Sequence, residues 1–339
     1  MPSSIFITGA SGYIGFQTLV FALEAGYIVR ASVRKSTQIS KLSTHQRVRP
    51  YNDQLTFVVI PDLTDVEVLV QNLKGVDAMI HLASPLAVET NNYERDIVQP
   101  ALGVTSSVLT AAKRTPTIKR VVITSSAVTL IPFSWLSAPT INLYTSASMI
   151  QSTSGPWNSA MEAYWSSKAL SRTFAHDFLA TEKPQFDIVQ LLPSVVIGPD
   201  LLTETSVDVL TNTRAMALGP LLGQKAAAPL VGASVHVRDV AKAHVDALQA
   251  SVPGNEDYVL TSDSPDGIRW DDVLSIAEKY FPEAIEKGIL KMGGRLETTT
   301  WKIGTEDMEK AFGWRCTSFE DTVRDLIGLY IELVVKEQK

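Results

Sequence analysis

The chain is poor in the residues that staple secreted scaffolds and build metal centres. One cysteine, Cys316, and five scattered histidines among 339 residues exclude an internal disulfide and leave no paired Cys/His spacing for a metal. A reducing compartment follows. Basic residues are not in excess either: 30 Lys and Arg against 36 Asp and Glu leave a net charge of -6. Neither a phosphate backbone nor an anionic lipid surface would attract such a chain generally. No apolar run approaches the roughly 18 residues that a membrane span needs. The opening "MPSSIFITGASGYIG" lacks a basic leader and meets glycines almost at once, so it reads as a first strand and not as a signal peptide. These absences predict a cytoplasmic protein, monomer or homodimer, whose partner is a small molecule, with no nucleic acid, membrane or metal.

What is present can fill a large core, since 45% of the residues are hydrophobic. Short β-branched runs at 4–8, 28–33, 55–60, 77–83, 120–126 and 187–192 read as strands. They alternate with helical patterns near 13–25, 65–73, 94–114 and 161–181. Several strands are apolar almost throughout, as a parallel sheet covered on both faces requires. The predicted class is α/β: a Rossmann-type doubly wound parallel sheet over 1–192, with a smaller, mostly C-terminal substrate-binding region over 193–339. Within the latter, 237–260 is expected to return to the first domain. Helical periods recur at 206–217, 237–250, 270–281 and 319–336.

"ITGASGYIG" places Gly9, Gly12 and Gly15 straight after the first strand, at the opening of a helix. That spacing suits a tight turn, close approach of backbone to a pyrophosphate and close helix–strand packing, and the helix N-terminus supplies unpaired N–H groups. Ser11, Tyr13 and Ile14 of the same loop are candidate contacts. The end of the second strand then discriminates between dinucleotides. An NAD site usually carries an acid there, whereas a 2′-phosphate needs cations. No acidic residue occurs between Glu24 and Asp53, and "VRASVRKSTQISK" supplies Arg30, Arg34, Lys35 and Lys41. Arg34, one residue past the strand, is the best candidate, with Lys41 behind it, and NADP(H) is the expected cofactor. Asp62, with Leu63 beside it, follows the third strand, where its carboxylate could accept from the adenine amino group. Ala83, Ser84 and Pro85 fall at the carboxyl edge of the fourth strand, where ligands of such folds lie. His81, inside an apolar run, reads as a packed side chain.

"VVITSSAV" puts Thr124, Ser125 and Ser126 at the carboxyl end of a central strand, with Thr124 a further cofactor contact. "EAYWSSKAL" places Tyr164 and Lys168 one helical turn apart on the same face. A carbonyl that accepts a hydride at carbon develops negative charge on oxygen, so it needs a proton donor and a hydrogen-bond donor already in position. Tyr164 fits the first role and Ser126 the second. Lys168 is expected to lower the phenol's pKa from about 10 by favouring the phenolate.

Together "TGASGYIG", "HLASP", "TSS", "YWSSK" and "LPSVVIGP" resemble an extended short-chain dehydrogenase/reductase. The resemblance is closest to the branch of dihydroflavonol reductases, cinnamoyl-CoA reductases and fungal ketone or methylglyoxal reductases, and "VRASVR", "QPAL", "PWN" and "HVRDVAKAHVDAL" strengthen it. It runs from about residue 4 to 250. It implies that Lys168 also binds the nicotinamide ribose, that Ser126 positions the substrate, and that the segment with Pro193, Val195 and Val196 lies along the nicotinamide. The chain departs from the branch's pattern at two places. In "PALGVTSSVL" Gly103 is displaced and Val104 stands in its place, and Ser171 and Arg172 replace a usual Ala-Glu pair after the lysine.

Between Ser126 and Tyr164 runs a long connection rich in apolar and aromatic residues. Val128, Phe133 and Trp135 are its candidate substrate contacts, in a pocket suited to an apolar or aromatic carbonyl compound. The predicted function is therefore that of a ketoreductase or carbonyl reductase, an NADPH-dependent oxidoreductase that makes an alcohol with Tyr164 as proton donor. Two alternatives are an NAD-dependent nucleotide-sugar epimerase or dehydratase and a non-enzymatic dinucleotide sensor. The basic end of the second strand argues against the former, and the intact Ser126, Tyr164 and Lys168 against the latter.

Overall fold

A computed structural model describes residues 4–85, 87–150 and 154–339. Five strands and helices alternate at the start: β1 (Ser4–Thr8), α1 (Tyr13–Glu24), β2 (Ile28–Val33), α2 (Thr37–Ser43), β3 (Leu55–Val59), α3 (Val66–Leu73), β4 (Ala78–His81), α4 (Gln99–Lys113), β5 (Arg120–Thr124) and α5 (Ala160–Glu182). They are followed by β6 (Asp187–Pro193), α6 (Val237–Asp246) and β7 (Glu256–Leu260). The seven strands form one sheet in the order β7-β6-β5-β4-β1-β2-β3, and the pairs from β3 across to β6 run parallel. The strand order reverses between β1 and β4. That is the switch point at whose carboxyl edge doubly wound folds bind ligands.

Local chemistry explains the elements. Ile5, Phe6 and Ile7 of β1 are 0% exposed, as both faces of the central strand are covered; each such side chain contributes about 1.5–3 kcal/mol by leaving water. One face packs Phe6, Met79 and Val121 against Leu69, Val108, Leu109 and Phe178 from α3, α4 and α5. α5 starts at a reciprocal cap. Ser159 Oγ accepts from Glu162 N (3.1 Å), and Glu162 Oε2 accepts from Asn158 N (2.7 Å). The expected helix over 94–114 begins with a π-helical turn at Glu94–Val98 before α4 proper.

The chain divides into two compact units, with a boundary at Leu192/Pro193 and an excursion at 134–145 that the sequence reading left in the first domain. The first comprises 1–133, 146–192 and 241–258; the second comprises 134–145, 193–240 and 259–339. Segment 134–145 thus leaves the unit to which contiguity assigned it. The reason is pairing: Leu143–Tyr144 lies parallel to Lys302–Ile303. The return from the second unit spans 241–258 and not the whole of 237–260. The second unit also pairs Val195–Ile197 with Ser234–His236, and Leu230–Gly232 with Thr298–Thr300. Its core gathers Leu218, Trp270, Val273, Phe319, Leu326 and Ile327. No helix of the described residues is long and apolar enough to cross a membrane.

Candidate active site

The three loop glycines are small for different reasons. Gly9 has φ +75°, and a Cβ there would stand 2.8 Å from Ala83 N; at Gly15 it would stand 2.0 Å from Gly9 O. Both are demanded by the protein's own backbone. At Gly12 a Cβ would meet nothing closer than Gly9 O at 3.4 Å, an ordinary contact, so the fold itself does not forbid a side chain there. Gly12 is the N-cap of α1, which has no side-chain cap and no acidic residue in its first turn. A phosphate-sized anion fits such a terminus. Ser11, Tyr13 and Ile14 complete this turn. Ser11 Oγ accepts from Gln38 Nε2 (2.9 Å), and Gln38 Oε1 accepts from the backbone N–H groups of Arg34 (3.1 Å) and Lys35 (3.0 Å).

Gln38 thereby joins the glycine loop to the basic loop after β2, a link that nothing in the local sequence pattern announces. Arg34 and Lys35 have exposed side chains. Arg30 is turned elsewhere: its guanidinium donates to the carbonyls of Asn72 (2.5 Å) and Lys74 (3.1 Å) at the end of α3. It is therefore removed from the expected cationic group. Lys41 sits in the last turn of α2, where a cation suits the helix dipole. Asp62 Oδ1 accepts from both the N–H (2.8 Å) and hydroxyl (2.7 Å) of Thr64, which hold its carboxyl below the usual range; Leu63 lies between them.

At the carboxyl edge, Ala83 N donates to Thr8 Oγ1 (3.3 Å), and Ser84 Oγ donates to Pro85 O at 3.4 Å. His81 is packed within the sheet, with Nδ1 2.7 Å from Thr8 Oγ1. Burial, aided by the Lys168 charge, pushes it down to about 3, so it is neutral near pH 7. The Thr124 hydroxyl lies 2.6 Å from His244 Nε2.

Ser126, Tyr164 and Lys168 are brought together. Ser126 caps the short 3₁₀ turn Ala127–Leu130, its Oγ accepting from Val128 N at 3.3 Å, and its side chain also hydrogen-bonds Tyr164. Lys168 is 7% exposed; its Nζ lies 5.7 Å from the Tyr164 ring centroid and donates to Ser84 Oγ at 2.9 Å. The electrostatics differ from the sequence expectation. Burial raises the Tyr164 pKa, with the Ser126 hydrogen bond working in the opposite direction. The physical reason is desolvation, which disfavours the charged phenolate. Lys168 itself is pushed down to about 8 by burial.

The candidate substrate residues separate. Phe133 is half-buried, edge-on to Trp165 with centroids 5.5 Å apart, and Trp165 Nε1 donates to Ile131 O (3.1 Å). Val128 lies in the turn after Ser126 and is half-buried. Trp135 belongs to the second unit, 3% exposed and 6.0 Å from Trp301. Its ring is enclosed there, and its Nε1–H has no hydrogen-bond partner among the described residues. Pro193 ends β6 and, with Val195 and Val196 in the next strand, is assigned to the second unit. Gln151, Ser152 and Thr153 of the long connection lie outside the described residues.

Residues 5–261 match the NAD dependent epimerase/dehydratase family. Among curated proteins, the ketoreductase CTB6 of Cercospora nicotianae is 32% identical over 99% of this chain and 97% of its own. A putative NADPH-dependent methylglyoxal reductase of Candida albicans, GRP2, is 29% identical over 97% and 98%. Among solved structures, yeast methylglyoxal/isovaleraldehyde reductase Gre2 complexed with NADPH superposes with TM-score 0.81 at 23% identity, covering 97% and 98%. With its seven-stranded sheet, its glycine loop and the matched span of residues 5–261, this chain belongs to the NAD dependent epimerase/dehydratase family, the extended short-chain dehydrogenase/reductases.

Proposed function

We propose that the protein reduces a ketone or aldehyde, apolar or aromatic in character, to the alcohol with NADPH. The observation that carries this reading is the convergence of Ser126, Tyr164 and Lys168 at the carboxyl end of β5, beside an edge carrying an uncapped helix N-terminus. When bound, the nicotinamide cofactor supplies the hydride. Tyr164 gives its phenolic proton to the substrate oxygen as negative charge develops there, and the Ser126 hydroxyl donates a hydrogen bond to the same oxygen. Lys168 stabilises the phenolate left behind, and its ammonium is available to ribose hydroxyls.

The preference for NADPH is supported by the exposed Arg34 and Lys35 past β2, and by the absence of acidic residues from 25 to 52. Both features suit a 2′-phosphate and leave no carboxylate for a 2′-hydroxyl. The kinship with fungal ketoreductases and a methylglyoxal reductase supports the reaction class.

The test follows NADPH oxidation by the purified protein against a panel of aliphatic ketones, aryl ketones and aldehydes, with Tyr164→Phe as control. Turnover of at least one carbonyl that collapses in the variant is expected. Equal turnover in both, or NADH oxidation as fast as NADPH oxidation, would remove the reading.

A further inference from the structure

Arg172 has no part in the chemistry above. It lies one turn beyond Lys168 on α5 and is 2% exposed. Its Nε donates to Asp257 Oδ2 (2.7 Å), the oxygen that also lies 2.9 Å from His176 Nε2, and Asp257 Oδ1 accepts from Gln190 Nε2 (3.1 Å). Burial works against the charge on Asp257, yet His176 and Arg172 together hold its carboxyl below the usual range. The other arms of the guanidinium reach away from the helix. Nη1 donates to Thr129 Oγ1 (3.1 Å) and Ser148 O (2.8 Å), and Nη2 to Ser146 O (2.5 Å).

Those acceptors are placed informatively. Thr129 donates its N–H (3.1 Å) and its hydroxyl (2.8 Å) to the carbonyl of Ser126, and its own carbonyl accepts from Ile150 N (3.2 Å). The first unit gives up the chain after Phe133 and takes it back at Ser146. One side chain thus ties the helix carrying Tyr164 and Lys168 to the turn capped by Ser126 and to the returning segment at 146–150. Burying an ion pair is a poor way to gain stability, because apolar side chains of the same volume do as well or better. A planar fork with fixed donor directions is, in contrast, a good way to set backbone geometry.

We propose that Arg172, held by Asp257, is a positioning residue for carbonyl reduction. It fixes the backbone at Ser126 and the segment that returns at 146–148, and so sets the serine hydroxyl against Tyr164. This rests on the proposed function for its catalytic consequence, but its structural half can be read without turnover.

The experiment compares wild type with Arg172→Met, Arg172→Lys and Thr129→Val. It measures kcat and KM with 1-phenyl-1,2-propanedione, NADPH affinity by fluorescence, and amide hydrogen exchange resolved by segment. In Arg172→Met kcat is expected to fall about 10- to 100-fold, the loss that misplacing a reacting group by about 1 Å can cause. NADPH affinity should hold within about twofold, since that variant leaves the cofactor contacts in place. Exchange should quicken at 127–131 and 146–150 by more than in β1 and β4, which follow only the global loss of stability. Arg172→Lys keeps the charge without the fork and should recover only part of kcat. If Arg172→Met does not fold, Thr129→Val removes one acceptor of the guanidinium together with the hydroxyl's own bond to Ser126 O; quickened exchange at 146–150, which that second bond does not reach, with a smaller drop in kcat, then reports the role of Arg172. A kcat near that of wild type, or exchange at 127–131 and 146–150 that quickens no more than in β1 and β4, would overturn the proposal. If wild type reduces no carbonyl, the reductase reading falls, and the exchange pattern still decides whether Arg172 sets these two segments.

Discussion

Two adjacent turns of α5 each bury a cation, and their surroundings differ. Around Lys168 the described residues provide one hydrogen-bond partner, Ser84 Oγ, and burial drags the ammonium down to about 8. Around Arg172 there are a carboxylate, three carbonyls and a hydroxyl within hydrogen-bond distance. The first turn carries a group whose charge is barely supported by the protein, a state expected of a residue that meets a ligand. The second carries a group whose donors are taken up by the fold. Equal burial therefore does not mean equal role; what separates the two is how completely the surrounding protein answers the charge.

The comparison is broken most sharply at the first turn. Tyr164→Phe keeps the ring and its packing but removes the proton, so turnover should fall roughly 100- to 10,000-fold, while NADPH affinity and the melting temperature stay near wild type. Near-normal reduction of a confirmed substrate would remove Tyr164 from the chemistry. At the second turn the large effect should be on stability. Arg172→Met leaves the Asp257 carboxylate buried beside His176 without its guanidinium, a change that costs about 3–5 kcal/mol in such settings. Urea denaturation measures it, and a loss as small as that of a surface pair would show that the ion pair is dispensable.

A third perturbation lies outside the helix. Arg34→Ser should weaken NADPH by about 1.5–3 kcal/mol, the range for a hydrogen bond to a charged group, and leave NADH almost untouched. Equal effects in calorimetric titrations of the two would refute the 2′-phosphate assignment. A fourth effect is a pH dependence. Because the folded-state pKa of Lys168 lies near 8, below its ordinary 10.5, the unfolded chain binds more protons between those values, and stability should rise with pH across that window. Lys168→Met should flatten this rise in a series of melts. An unchanged slope would mean that Lys168 keeps its proton with an ordinary pKa in the folded protein.

Much of the first unit was legible in its residues because its signals are local. Alternating strands and helices, glycines at 9, 12 and 15, and a tyrosine and a lysine one helical turn apart all express short-range sterics and periodicity. Gly9 and Gly15 are even readable as necessities, since no side chain fits there. The sequence also marked Arg172 as a departure from pattern, without indicating its use.

What only the tertiary structure decided depends on partners far away in the chain, or on water being excluded. Arg172 meets Asp257 across 85 residues, and residues 143–144 pair with 302–303; no window of sequence contains both members of either pair. Arg30 is drawn from the expected phosphate group by carbonyls at Asn72 and Lys74, and Trp135 is buried beside Trp301. The pKa values of Tyr164 and Lys168 move the way burial pushes them. Residue types and spacing set which groups could meet, but desolvation and long-range packing set the charge each one carries and the geometry in which it is held.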